Sequence, residues 1–65
     1  MVTINGTSVS LSALTTIGAY LDDNHYKRQR IAVEKNGAIV PKSAYDTTTF
    51  ADGDKVEIVC FVGGG

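Results

Sequence analysis

Two Asn-Gly dipeptides, Asn5-Gly6 and Asn36-Gly37, constrain the fold of this 65-residue chain more than any other feature. Both residue types tolerate positive φ, and Asn-Gly between alternating runs is the strongest short signal for a β-hairpin. The first dipeptide lies between MVTI and TSVSL, where apolar and polar residues alternate with strand periodicity. The second lies between IAVEK and AIV. The sequence therefore predicts two hairpins, one at the start and one in the middle.

The segment between the hairpins changes to helical spacing. Thr15 or Thr16 is a suitable N-cap, and the predicted helix runs roughly from Thr16 to Asn24. The apolar residues predicted to share one helical face are Leu14, Ile17, Tyr20 and Leu21. Gly18 lies inside this helix, and we expect it to mark a close approach of the helix to the sheet.

A last strand is predicted at 55–62, KVEIVCFV, after a polar loop with Tyr45 and Phe50 as anchors and a turn at Asp52-Gly53. One helix packed on one mixed sheet is an α+β fold, and this element order predicts a β-grasp (ubiquitin-like) domain. The expected core is Val2, Ile4, Val9, Leu11, Ile31 and Val33 against Ile17, Tyr20 and Leu21. We expect residues 1–62 to form this domain and 63–65 to form a flexible C-terminal glycine tail.

Side chains alternate between the two faces of a strand, so the last strand predicts its own orientation. The residues expected to face the core are Val56, Ile58, Cys60 and Val62, and Cys60 is expected to be a buried, inert cysteine. Lys55 and Glu57 mark the opposite, solvent-facing side. Val59 and Phe61 lie on that same side, and we expect Ala32 to share this open face. An apolar patch on an exposed sheet face indicates a partner-binding surface.

Composition excludes several function classes. A net charge of −1 argues against nucleic acid as the main partner, and no apolar run approaches the roughly 20 residues of a membrane span. One cysteine permits no internal disulfide, so we expect a cytoplasmic protein without a secretion signal. Cys60 and His25 provide too few ligands for zinc. Lys27, Arg28 and Arg30 are expected to form a solvated loop, and no residue pattern in the globular body predicts a catalytic site.

Several stretches of the chain resemble the ubiquitin-like sulfur carriers, most closely the ThiS family. The stretches are TTIGAYL, IAVEKNGAIVPKSAY, ADGDKVEIV and the terminal Gly64-Gly65. Together they span nearly the whole chain. The family pattern includes only the last two glycines, so Gly63 departs from it.

The resemblance implies a mechanism without catalysis by this chain. The Gly65 carboxylate would be adenylylated by a ThiF-like adenylating enzyme that uses ATP, while the carrier itself binds no cofactor. A sulfurtransferase would convert the terminus to a thiocarboxylate, and a ThiG-like thiazole synthase would take the sulfur. Gly63 and Gly64 would form the arm, with Val59 and Phe61 docking the body. The alternatives are a MoaD-like carrier for molybdopterin synthesis, a ubiquitin-like protein modifier and an interaction module.

Overall fold

The computed structural model describes residues 1–61, so the expectations for Val62, Gly63, Gly64 and Gly65 lie outside the described residues. The elements in chain order are β1 (Val2–Ile4), β2 (Thr7–Val9), α1 (Ile17–Asp23), a 3-10 turn at Arg28–Arg30, β3 (Ile31–Lys35), β4 (Ala38–Val40), a 3-10 turn at Lys42–Ala44 and β5 (Lys55–Cys60). Both predicted hairpins and the predicted helix are therefore present. The last strand ends at Cys60, before its predicted end.

The five strands form one mixed sheet in the order β2-β1-β5-β3-β4. Neighbours pair in antiparallel fashion except β1 and β5, which run parallel. A parallel pair cannot be closed by a tight turn, so the helix and the second hairpin lie in the crossover between the two strands. This arrangement confirms the predicted α+β, β-grasp architecture.

Both Asn-Gly dipeptides form the turns that the sequence predicts. Asn5 and Gly6 have φ values of 50° and 83°, and Asn36 and Gly37 have values of 54° and 86°. Two consecutive residues with positive φ are the requirement of a type I′ turn, whose twist matches that of the flanking strands. The turns therefore set the register of both hairpins.

The core lies between one face of the sheet and α1. Its buried apolar residues are Val2, Ile4, Ile17, Leu21, Ile31, Val33, Tyr45, Phe50, Val56 and Ile58. Tyr45 and Phe50 confirm the predicted loop anchors, and the ring of Phe50 meets that of Tyr20 edge-on at 5.8 Å. Tyr20, like Val9 and Leu11, is only partly buried.

Leu14 is 85% exposed, so its predicted place on the apolar face of the helix is wrong. The helix begins at Ile17, and residues 12–15 form a turn in which the N–H of Thr15 donates to the carbonyl of Ser12. Helical spacing therefore does not apply to Leu14.

The first turn of α1 is stabilised by three acceptors. The hydroxyl of Thr16 accepts from the N–H of Ala19 at 3.0 Å, which identifies Thr16 as the N-cap. The N–H of Ile17 donates to the carbonyl of Thr48, and that of Gly18 donates to the carbonyl of Tyr45. A seven-residue helix is too short to persist alone, so these bonds tie its stability to the 42–50 loop.

Gly18 marks a close approach, but not to the sheet. A Cβ at this position would clash with the carboxylate of Asp46 and lie 2.6 Å from Nη2 of Arg28. Nη2 of Arg28 donates to Oδ1 of Asp46 at 2.9 Å directly over the glycine. The missing side chain therefore leaves room for an ion pair that connects the loop to the helix.

We expect Gly18→Ala to be less stabilising than helix propensity alone predicts. Alanine favours the helix by about 1 kcal/mol over glycine, but its methyl group displaces the Arg28–Asp46 pair. In an Asp46→Ala background that pair is already absent, so the same change should stabilise the protein more. Urea denaturation of the double-mutant cycle measures this coupling, and additive effects would contradict the close approach.

Asp54, which directly follows the Asp52-Gly53 turn, is a buried structural residue. It is 7% exposed, and its carboxylate accepts from the N–H of Ala51 at 2.8 Å and from Nδ2 of Asn36 at 2.9 Å. Nζ of Lys35 lies 3.6 Å away. Burial acts to raise the pKa of Asp54, but these bonds and the lysine charge outweigh it and hold the pKa below the usual value.

We expect Asp54→Asn to lower the free energy of unfolding by about 1.5–3 kcal/mol at neutral pH, because hydrogen bonds to a charged group are lost. A lowered pKa in the folded state stabilises the protein above the unfolded pKa of about 4, and this contribution disappears as the pH falls through the folded value. The difference between wild type and variant should therefore shrink in acid.

Thermal denaturation from pH 7 down to pH 2 checks this expectation. Asp23→Asn is the matched control, because Asp23 is exposed at the end of α1 and makes no side-chain hydrogen bond to another of residues 1–61. A pH-independent difference between wild type and Asp54→Asn would show that Asp54 is not the responsible group.

Candidate functional site

The open face of the sheet carries an apolar patch at the carboxyl end of β5. Val59 is 51% exposed and Phe61 is 57% exposed, as strand parity predicts. Ala32 lies directly opposite Val59 in the β3–β5 ladder, and the N–H of Phe61 extends that ladder to the carbonyl of Arg30 at 2.7 Å. The two side chains thus project from an ordered, hydrogen-bonded backbone. Their role in binding stays a prediction.

Acidic side chains border this patch. Glu34 and Glu57 are directly opposite each other on the open face, and Glu34 is also opposite the exposed Ile39 of β4. Like charges at directly opposed positions destabilise a sheet. The open face therefore combines exposed apolar area with an unfavourable charge pair.

The asparagines of the two hairpin turns position β5. The side-chain amide of Asn5 bonds both backbone groups of Ile58, accepting from its N–H at 2.7 Å and donating to its carbonyl at 3.2 Å. Oδ1 of Asn36 accepts from the N–H of Lys55 at 2.9 Å. Each turn residue thereby fixes a point on the central strand. Sequence reasoning missed these bonds, because it treated the asparagines only as residues that tolerate positive φ.

Cys60 is exposed, so the prediction of a buried cysteine is wrong. The strand face predicted for Cys60 is correct, because Cys60 pairs with Ile31, whose side chain is only 1% exposed and faces the core. However, β1 runs beside β5 only as far as Val56, where Ile4 is the partner. With no strand beside it on that flank, Cys60 lies beyond the covered core.

The prediction that the basic residues form a solvated loop is wrong for Arg28. Arg28 donates from Nη2 to Asp22 at 3.0 Å and to Asp46 at 2.9 Å, and these two bonds raise its already high pKa further. Nζ of Lys42 donates to the backbone carbonyl of Arg28 at 2.6 Å. Lys27 and Arg30 are exposed as expected. Arg28 therefore joins the helix to the following loop and is not free to contact a partner.

The other candidate sites carry little chemistry. His25 is exposed just after α1 with a φ of 62°, which is a turn position. An open groove of about 330 Å³ lies at the end of the sheet where β5 begins, between Met1, Leu11 and Phe50. Within residues 1–61 no cluster of metal-ligating side chains occurs, and no helix is long and apolar enough to cross a membrane.

Comparison with known proteins identifies the family. The model of the ThiS family matches residues 2–65. The chain belongs to the ThiS family. A crystal structure of the thiamine biosynthesis protein ThiS from Geobacter metallireducens superposes with a TM-score of 0.77 at 33% identity, covering 98% of this chain and 97% of that one. The ThiS resemblance and the β-grasp fold predicted from the sequence are thereby confirmed.

Longer proteins also contain a segment similar to this chain. A thiazole synthase from Paramagnetospirillum magneticum is 47% identical over 62 residues, and another from Magnetococcus marinus is 32% identical. These matches cover 95% of this chain but only 19% of either synthase. The chain therefore corresponds to about a fifth of the thiazole synthases that it matches.

Proposed function

We propose that this ThiS-family chain is a sulfur carrier of thiamine biosynthesis, and that the Gly65 carboxylate carries the sulfur as a thiocarboxylate. The family match carries this proposal, because it extends over residues 2–65 and includes the terminal glycines. The similarity to a solved ThiS over nearly the full length of both chains supports it. In this function the chain is a substrate and carrier, and the catalytic groups belong to its partners.

The chemistry needs a terminus that a partner enzyme can enclose. A carboxylate oxygen of Gly65 attacks the α-phosphate of ATP, pyrophosphate leaves, and an acyl adenylate forms. A sulfur nucleophile then attacks the acyl carbon and AMP leaves. Hydrosulfide as the nucleophile gives the thiocarboxylate directly, whereas a persulfide gives an acyl disulfide, whose S–S bond a thiol reductant must cleave to release the thiocarboxylate. Glycines carry no Cβ, so backbone can pass closely along an enzyme channel. Three extended residues reach roughly 10 Å.

The proposed partners follow from these steps. A ThiF-like enzyme would adenylylate Gly65, a sulfurtransferase would supply the sulfur, and a ThiG-like thiazole synthase would accept it. The thiazole synthases that contain a segment similar to this chain support the last partner, because joining two domains in one polypeptide raises their effective concentration. The same relatives favour thiazole formation over the MoaD-like alternative.

The open face supplies the proposed docking surface for the adenylating enzyme. Val59 lies on β5, and Phe61 directly follows the end of β5, immediately before residues 62–65. Contact at this patch would place the terminus near the enzyme's nucleotide. Aromatic side chains, phenylalanine among them, are enriched in the cores of protein interfaces, whose rims are polar.

The carrier proposal predicts a change in mass at the terminus. Incubation with ATP, the adenylating enzyme, a sulfurtransferase and a sulfur source should add the mass difference between sulfur and oxygen, located at Gly65 by tandem mass spectrometry. A chain lacking both Gly64 and Gly65, which no longer ends in two glycines, should fold with the same circular dichroism spectrum and gain nothing. Absence of the adduct on the wild-type chain, or its formation elsewhere, would rule out this function.

The docking proposal predicts a binding defect without loss of stability. Phe61→Ala should raise the KM of adenylation about tenfold or more, as expected for loss of a central aromatic contact, while the melting temperature stays unchanged. Leu14→Ala is the matched control, because it also removes an exposed apolar side chain but lies before α1. Equal effects of both variants on KM would argue against a defined patch.

A further inference from the structure

The side-chain amide of Asn36 is held at both of its polar atoms. Nδ2 donates to Oδ1 of Asp54 at 2.9 Å, and Oδ1 accepts from the N–H of Lys55 at 2.9 Å. The backbone N–H of Asn36 also donates to the carbonyl of Lys55 at 2.7 Å. The turn of the second hairpin is therefore fastened to the start of β5, and the side-chain amide makes most of that connection.

The glycine that follows Asn36 is not held in this way. A Cβ at Gly37 would meet no other part of the protein within 4 Å, and its N–H donates to no acceptor among residues 1–61. Glycine has no side chain to obstruct its own nitrogen. Gly37 therefore supplies an accessible main-chain nitrogen directly beside an asparagine amide, which is the arrangement that deamidates most readily in peptides.

We propose that Asn36-Gly37 is a deamidation site that stays closed while Asn36 is bound to Asp54 and Lys55 and reacts when the turn is released from β5. The nitrogen of Gly37 attacks Cγ of Asn36, the Cγ–Nδ2 bond breaks, and ammonia leaves with the proton of the attacking nitrogen. Water then opens the resulting succinimide ring to aspartate or isoaspartate. Water is the only co-reactant.

The turn conformation keeps the reacting atoms apart in the folded protein. Asn36 has a φ of 54°, in the left-handed region, where Cβ lies close to the carbonyl oxygen and therefore away from the next nitrogen. The five-membered succinimide ring needs Cβ and that nitrogen on the same side of the Cα–C bond. Asn36 must leave the turn conformation before it reacts, and its hydrogen bonds to Asp54 and Lys55 oppose that step.

The product cannot restore the connection to β5. An aspartate at position 36 would place a second carboxylate where Nδ2 now donates to Asp54, whose side chain is 7% exposed and poorly screened by water. Nζ of Lys35, 3.6 Å from Asp54, carries charge for only one carboxylate, and Asp52 is paired with the ammonium of Met1. Isoaspartate lengthens the main chain by one carbon atom and changes the turn. Deamidation therefore leaves the turn released.

The first hairpin contains the same dipeptide and provides an internal control. Asn5 has a φ of 50°, and a Cβ at Gly6 would likewise meet nothing within 4 Å. However, the amide of Asn5 bonds the backbone N–H and carbonyl of Ile58, and no carboxylate takes part. A change at Asp54 therefore removes an acceptor of Asn36 and none of Asn5.

Deamidation at both sites can be followed by mass-spectrometric peptide mapping during incubation of the folded wild type, the wild type in denaturing urea, and Asp54→Ala. We expect Asn36 to react far more slowly in the folded wild type than in urea. Asp54→Ala should raise the rate at Asn36 about tenfold or more relative to Asn5 in the same chain, because a hydrogen bond to a charged group is lost.

Two results would overturn the proposal. One is equal acceleration of Asn36 and Asn5 by Asp54→Ala, which would show general loosening of the fold. The other is deamidation of Asn36 in the folded wild type as fast as in urea, a comparison that needs no variant. These measurements use the chain alone and are independent of its role as a carrier.

Asn36→Asp tests the effect of the product. Asp-Gly also forms type I′ turns, so the turn preference is kept. This variant should lower the melting temperature in the wild-type background and lower it less in an Asp54→Ala background, where the opposing carboxylate is absent. Asn5→Asp is the control, and its loss should add to that of Asp54→Ala. Additive losses for Asn36→Asp would contradict the repulsion between positions 36 and 54.

Discussion

The parallel pairing of β1 with β5 is the contact on which the rest of the structure depends. It joins the first and last strands, Thr3 to Lys55 and Ile4 to Val56, across most of the chain. A long loop must close before this contact forms, and that closure is entropically unfavourable. The buried side chains of Ile4 and Val56 offset it, and Asn5 extends the pairing to Ile58 through its side chain. Because β5 lies between β1 and β3, every other strand and the helix are placed relative to it.

The position of β5 also connects the fold to the proposed function. β5 is held on both edges as far as Ile58. The ladder to β3 continues through Phe61, while no hydrogen bond from residues 1–61 reaches Cys60 on the β1 side. The chain thus presents an apolar patch on one face and an open edge on one side, both just before the terminal glycines. This arrangement suits a protein whose terminus must be held by another protein's active site.

Local patterns predicted the elements well. Asn-Gly turns and period-two alternation are short-range signals, and the hairpins formed where these signals predicted them. The exposure of Val59 and Phe61 followed from the same parity, anchored by the charged Lys55 and Glu57. The resemblance to ThiS came from short matched stretches and agrees with the family match. The wrong predictions concern residues whose surroundings the local pattern does not determine. Cys60 has the correct parity, but within residues 1–61 no strand lies beside it on the β1 side. Leu14 has the correct spacing but precedes the helix.

The sequence by itself determined the element order, both hairpin turns, an N-cap at Thr15 or Thr16 and the two faces of β5, because each depends on residues within a few positions of one another. Only the tertiary structure decided which polar residues are structural. Asp54 is buried through its bonds with Asn36 and Ala51, and Arg28 is occupied by two aspartates on separate elements. The open edge at Cys60 likewise depends on where β1 stops beside β5. These features arise from contacts between residues far apart in the chain, which local periodicity does not encode.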